Sequence, residues 1–185
     1  ERDTPVDLIM AAFEWGSYLG EEGIAKGVDV CVSSWNRVAA NTIPAAAKAT
    51  GNYLSSYLIG SEAKSRGYGE GLALGTDGKL SEGAGENLFI VRGGKIITPP
   101  TSASIMLGIT RDTVFKFCHD MGIEIEEQTI SREILYIADE IFLTGTAAEI
   151  TPVRSVDDTI MKMETPGPIT RKISDAFFGL FKGNT

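Results

Sequence analysis

A chain of 185 residues with 43% hydrophobic side chains has enough apolar surface for a substantial core, in one medium domain or a large piece of a bigger protein. Its formal charge of -8 repels phosphate backbones, and no cluster of Lys and Arg interleaved with aromatics offsets it, so nucleic acid is not expected as a partner. No apolar run reaches the roughly 18 residues of a membrane span, no signal-peptide pattern is present, and Cys31 and Cys118 lack the spacing of a metal site or disulfide framework. The two cysteines read as small buried hydrophobes of a reducing cytoplasm, with no metal expected.

The chain opens on ERDTPVDLIMAAF, without an initiator Met, and reads as an interior start. Residues 1–15 are expected to be the end of an interdomain connection plus a first buried strand over 6–13, with 16–185 as a second, C-terminal domain. Trp15, Gly16 and Gly20 mark a loop, and GVDVCVS over 27–33 is a second strand. Pro44 starts structure more readily than it continues it. From Asn52 onward, Leu54, Leu58, Ile59 and Ala63 follow helical spacing, and Gly67 is placed to end that helix. Between residues 70 and 98 the pattern predicts hairpins, with turns at Asp77-Gly78 and Gly93-Gly94. The SEGAGEN segment, 81–87, interrupts them. It reads either as a bulged or wide turn with solvated acids, or as a place where Gly83 and Gly85 let backbone approach a flat ligand while Glu82 or Glu86 presents a carboxylate.

Gly108, with Thr110 as expected N-cap, precedes a helix that has Val114, Phe117 and Cys118 on its inner face and Gly122 at its end. Such a helix start offers free amides to a phosphate, whereas His119 near the helix end reads as solvated. A strand over 123–130, a short helix over 131–139 and a buried strand over 140–143 follow. Gly145, Thr146, Ala147 and Ala148 then form a small-residue turn able to hold a second anion. A strand pair is expected over 151–163, divided by Asp157 and Asp158. A closing helix over 168–182 carries Ile169, Ile173, Ala176, Phe177 and Leu180 as its apolar stripe.

The chemistry centres on Lys48, in NTIPAAAKATGNYLSS. Small neighbours are expected to desolvate it in part, which disfavours the ammonium and leaves a nucleophilic amine able to form a Schiff base. Alone, such a lysine reads as a solvated residue ahead of a helix. Joined to a carboxylate in a glycine-rich strand break and two anion-binding turns, it makes the set that pyridoxal 5'-phosphate requires: an amine for the aldehyde, an acid for the ring nitrogen and donors for the phosphate.

Through SSWNRVAANTIPAAAKATGNYLSS, LSEGAGENLF, GITRD and GTAAEITPV, the chain resembles the class IV, fold type IV pyridoxal-phosphate aminotransferases, and among them the branched-chain amino acid aminotransferases. The resemblance implies an α/β fold of the α+β type, the large domain of that family, with mixed sheets forming a pseudo-barrel and flanking helices. It also implies that Lys48 is the Schiff-base lysine and proton shuttle, that Tyr53 supports the cofactor's phenolic oxygen, and that Glu82 faces the pyridine nitrogen. Ile109 and Thr110 correspond to the phosphate-binding helix start, Thr146 to a second phosphate donor, and Thr146 with Ala147 to the seat of the substrate carboxylate. Gly85, Glu86, Asn87 and Gly108 correspond to supporting positions.

The activity implied is ping-pong transamination of Leu, Ile and Val with 2-oxoglutarate, giving branched-chain 2-oxo acids and glutamate, in a cytoplasmic enzyme that is at least a homodimer. The family's smaller N-terminal domain has no counterpart in the sequence. None of Arg37, Arg92 and Arg111 takes that domain's phosphate-binding role from sequence, so these residues alone are expected to bind cofactor weakly and turn over poorly. Alternatives within the fold are a D-amino acid aminotransferase or an aminodeoxychorismate lyase. Outside catalysis, the alternative is a cofactor-free interaction domain that kept the fold.

Overall fold

The computed structural model describes residues 3–182. Its centre is set by period-two alternation. β4 (Asn87–Arg92) and β7 (Glu140–Gly145) pair antiparallel with Phe89 opposite Phe142, and successive side chains point to opposite faces. Leu88, Ile90, Ile141 and Leu143 enter one apolar cluster, while Phe89, Val91 and Phe142 enter another. Both faces are therefore buried, which is why these strands read as unbroken apolar runs.

The remaining strands are β1 (Val28–Val32), β2 (Glu70–Leu74), β3 (Leu80–Gly83), β5 (Lys95–Thr98), β6 (Ile125–Glu127), β8 (Glu149–Val156) and β9 (Thr159–Ile160). Among the described residues they form one sheet in the order β3-β2-β1-β8-β7-β4-β5-β6, with β9 on β8. β1 runs parallel to both β2 and β8, β5 parallel to β6, and the other pairs are antiparallel. Side chains from β1, β2 and β3 share one cluster with those from β4, β5, β7 and β8. The sheet thus curls until its two halves enclose a common interior, as expected for a mixed pseudo-barrel, and a register shift of β8 against β1 at Val28/Asp29 marks the bend.

Helices α3 (Ile109–Met121) and α4 (Pro168–Gly179) cover the outer face through Val114, Cys118, Ile173 and Phe177. Helix α2 (Tyr53–Ser65) lies on β2, where Ile59 meets Ala73 and Ala84. Gly71 permits that approach, since a Cβ there would stand 2.9 Å from the Ile59 carbonyl oxygen. Among the described residues no helix is long and apolar enough to cross a membrane.

Several expectations are corrected. Residues 6–13 form no strand: they are exposed, Ile9 at 88%, because no neighbouring strand completes a ladder with them. The loop expected at Trp15, Gly16 and Gly20 is present, and it is followed by an unexpected short helix, α1 (Glu21–Lys26), with acids in its first turn and Lys26 in its last, between glycines at positive φ. Of the expected hairpins, β2-β3 and β4-β5 form, but β3 and β4 lie in different halves of the sheet, so the glycine segment between them is a crossing. The N-cap of α3 is Gly108; Thr110 is already its second helical residue. The strand expected over 123–130 is confined to β6, whereas the short helix expected over 131–139 is present as a 3₁₀ helix, Arg132–Ile137. Leu180 lies beyond the end of α4 and is exposed. Gly67 at φ +87°, Gly122 as the left-handed cap of α3 and the positive-φ pair Asp157 and Asp158 agree with the expected punctuation.

Phe142 stacks on Phe89 with 4.9 Å between ring centroids and 2° between planes. Phe142→Ala removes that contact from a fully buried site and should lower the unfolding free energy by about 3–5 kcal/mol, read as a lower denaturant midpoint at unchanged slope.

Candidate active site

Four pieces of chain converge on a cavity of about 270 Å³. The first is the loop ahead of α2. Asn52, buried, donates from Nδ2 to the carbonyls of Pro44 (3.0 Å) and Ala47 (2.7 Å), pinning a loop that has no ladder of its own. Lys48 follows directly, and its Nζ donates to Tyr53 Oη at 3.3 Å from the start of α2. Lys48 is exposed at the mouth of the cavity, which corrects the expected desolvation: the alanines around it are too short to bury a four-carbon stem and are themselves largely exposed.

The second piece is the end of β3. Glu82 is 5% exposed, with Oε1 paired to Arg37 Nη2 at 2.7 Å while Oε2 accepts from Asn87 Nδ2 (2.9 Å) and the Met106 amide (3.1 Å). Burial pushes this carboxyl up to about 7, and the Arg37 guanidinium pulls against the rise. Arg37 is itself buried and reaches Ser56 Oγ at 3.2 Å. Asn87 also donates to the Met106 carbonyl at 2.8 Å, so one side chain joins the acid to the segment that leads into α3.

The third piece is the start of α3. The first bond of the helix runs from the Asp112 amide to the Gly108 carbonyl at 3.1 Å, which leaves the amides of Ile109, Thr110 and Arg111 ahead of the ladder. Gly108 packs so closely on Asn87 that a Cβ would lie 2.3 Å from its Oδ1. Arg111 sits beneath this turn, donating to the Pro99 carbonyl, paired with Glu127 and stacked 4.8 Å over Phe115. Arg92 is exposed on β4. The fourth piece is the end of β7 with the turn into β8, where Thr144 and Thr146 line the cavity and Thr144 Oγ1 is buried without a hydrogen-bond partner.

The cavity therefore brings together Lys48, Tyr53, Glu82, Gly85, Glu86, Asn87, Gly108, Ile109, Thr110 and Thr146, all expected from sequence. Ala147 lies exposed in the same turn, outside the lining. Sequence reasoning missed Arg37 and Asn52. Arg37 carries no local sign of its pairing with Glu82, whereas an Asn immediately before a helix is a recognisable capping residue, here turned back onto the preceding loop.

The sequence family described as "Amino-transferase class IV" matches residues 1–156, and the chain belongs to that family. It is 59% identical over 179 residues to the branched-chain-amino-acid aminotransferase of Escherichia coli (strain K12), covering 97% of this chain and 58% of that protein. The crystal structure of the Escherichia coli branched-chain amino acid aminotransferase superposes with a TM-score of 0.93 over 95% of this chain and 58% of that one, at 59% identity. The T.th. branched-chain amino acid aminotransferase complexed with N-(5'-phosphopyridoxyl)-L-glutamate superposes at 0.82, with 40% identity, over 86% of this chain and 54% of that one. The fold is that of these enzymes, and the chain spans somewhat more than half of their length.

Because Glu82 is raised in the folded state, its contribution to stability is fully present below the ordinary carboxylate range and is lost as pH rises toward about 7. Across that window wild type should lose on the order of 2 kcal/mol of stability relative to E82Q, measured as diverging denaturant midpoints.

Proposed function

We propose that this chain is the cofactor-binding domain of a pyridoxal-phosphate aminotransferase that transaminates branched-chain L-amino acids with 2-oxoglutarate. The observation that carries the reading is the placement of Lys48, the anchored Glu82 and the open start of α3 around one cavity. The fit to the cofactor rests on the donor set: an amine at the mouth, a carboxylate with both oxygens fixed, three helix-start amides, and a buried Thr144 hydroxyl still lacking a partner.

Bound pyridoxal phosphate supplies an aldehyde for an amine and an electron sink for the charge left when a substrate α-proton departs. Lys48 Nζ is the amine that engages the cofactor and the base that removes the proton at the substrate α-carbon. Tyr53 Oη, in contact with Lys48 Nζ, orients that amine and the cofactor's phenolic oxygen. Glu82 holds a proton on the ring nitrogen, and Arg37 and Asn87 keep its two oxygens aimed. Ile109 and Thr110 bind phosphate through the helix start, Thr146 adds a second donor, and Thr146 with Ala147 receives the substrate carboxylate. Selection among side chains by an apolar pocket is worth only about 1–3 kcal/mol per methylene, so Leu, Ile and Val should all react.

The relatives are longer than this chain. We place in the remainder of the whole protein a smaller N-terminal domain, joined through residues 1–15, that completes the substrate pocket and the phosphate site. Self-association as at least a homodimer and a cytoplasmic location belong to the same proposal, the latter resting on two buried free thiols.

Borohydride reduction of the full-length protein with pyridoxal phosphate, followed by peptide mapping, should label Lys48, and K48A should abolish both the label and L-leucine turnover. Label on another lysine sinks the assignment.

A further inference from the structure

Arg37 is committed to Glu82, yet two more carboxyl groups are buried beside that pair. Glu70, the first residue of β2, and Glu86, the residue immediately before β4, are each 3% exposed. Each acts on the titration of the other. Two carboxylates only accept, so neither can satisfy the other unless one acid carries a proton to donate.

The surrounding donors decide which. Glu70 Oε1 accepts the Gly71 amide at 2.6 Å, an arrangement that favours the ionised form. Glu86 Oε2 accepts the Gly85 amide at 3.1 Å, but Glu86 Oε1 is buried with no donor. A proton on Glu86 Oε1, donated to Glu70, satisfies both groups and removes one of two adjacent buried charges. The other titratable groups that act on the pair leave this unchanged. Lys64 on α2 acts on Glu70 only through its field, and Glu82 on β3 adds negative charge at Glu86. The hydroxyl of Tyr18, ahead of α1, is pushed up to about 12 by burial and by both acids. Burial and the charge of Glu70 hold Glu86 well above the ordinary carboxylate range, and burial raises Glu70 as well.

This pair fastens the crossing between the two halves of the sheet. The Gly83 amide donates to the Glu86 carbonyl at 2.7 Å and the Ala84 amide to the Gly71 carbonyl at 3.0 Å. The fit is tight enough that a Cβ on Gly83 would lie 2.6 Å from Glu86 Oε2. Glu82 and Asn87, which bond each other across the site, stand at the two ends of this turn. Glu86 is also part of the cavity wall.

We propose that Glu70 is a positioning residue of the site: it captures a proton on Glu86, and that shared proton fixes the 83–86 turn, and with it Glu82 and Asn87, while leaving the cavity wall uncharged toward anionic groups of the cofactor. The inference rests on the pyridoxal-phosphate reading of the cavity. Loss of the proton adds a second buried carboxylate, with no ion pair to either acid among the described residues, so the effect is present at low and neutral pH and is lost as pH rises through the raised value.

The test uses the full-length protein and pyridoxamine 5'-phosphate, which forms no covalent link to Lys48 and so keeps that lysine's titration out of the measurement. For wild type the Kd should rise roughly tenfold or more between neutral and alkaline pH, about tenfold per unit beyond the group's titration. E70Q and E86Q replace the shared proton with an amide donor that does not titrate, and the alkaline loss should shrink to below about threefold, well under one pH unit's worth. E70A, which leaves Glu86 without its acceptor, should bind weakly across the whole range. Infrared difference spectra of wild type against E86Q should show a protonated-carboxyl stretch at neutral pH that disappears on alkaline titration. Absence of that band, or an alkaline loss in E70Q and E86Q as steep as in wild type, overturns the proposal. A wild type that binds pyridoxamine phosphate at no pH sinks the cofactor reading instead, and the infrared band alone then decides whether the proton is shared.

Discussion

The ion pair between Arg37 and Glu82 is the constraint around which the site is arranged. Both groups are almost completely removed from water, where an unpaired charge is strongly disfavoured and a pair is tolerated only if its remaining valences are met. The chain meets most of them with a side-chain amide from Asn87, a backbone amide from Met106 and a hydroxyl from Ser56, and Arg37 Nε is buried without a hydrogen-bond partner. Each of these partners comes from a different segment. Glu82 therefore fixes, in one cluster, the end of β3, the start of β4, the approach to α3 and the face of α2.

That clustering explains how a flat cofactor could be recognised at several points by a chain whose recognition groups are scattered. The acid is rigid because its oxygens are occupied, and the anion site is rigid because Gly108 packs directly on Asn87. The lysine is treated differently: its loop is clamped by Asn52, but its side chain is left exposed and bonds to Tyr53. A group that must exchange partners during a reaction is held loosely, and groups that must stay aimed are held on every side.

Much of the fold was legible because its signals are local. Apolar runs bounded by Gly or Asp-Gly mark β1, β2, β4, β5 and β7, and glycine at positive φ marks where α2 and α3 end. Residues 6–13 mislead for the complementary reason: an apolar run becomes a strand only when something pairs with it, and that depends on the rest of the fold. Likewise SEGAGEN looks like one more turn of a meander, although its flanking strands belong to opposite halves of the sheet. In the site, residue types that carry chemistry stood out, including Lys48, Glu82 and the start of α3. Arg37 did not, since an arginine beside Asn36 and Val38 gives no indication that a carboxylate from a distant strand waits for it. Partnerships between distant buried charges are properties of the folded arrangement.

The curl of the sheet has one further consequence. The cavity is walled on one side by β3 and on the other by the β7-β8 turn, elements from the two halves that the bend at β8 brings face to face. A molecule seated there touches both halves and works as a clasp across the open side of the half-barrel. Binding and closure of the curl then draw on the same free energy, and occupancy of the cavity becomes a determinant of how firmly the whole sheet is shut.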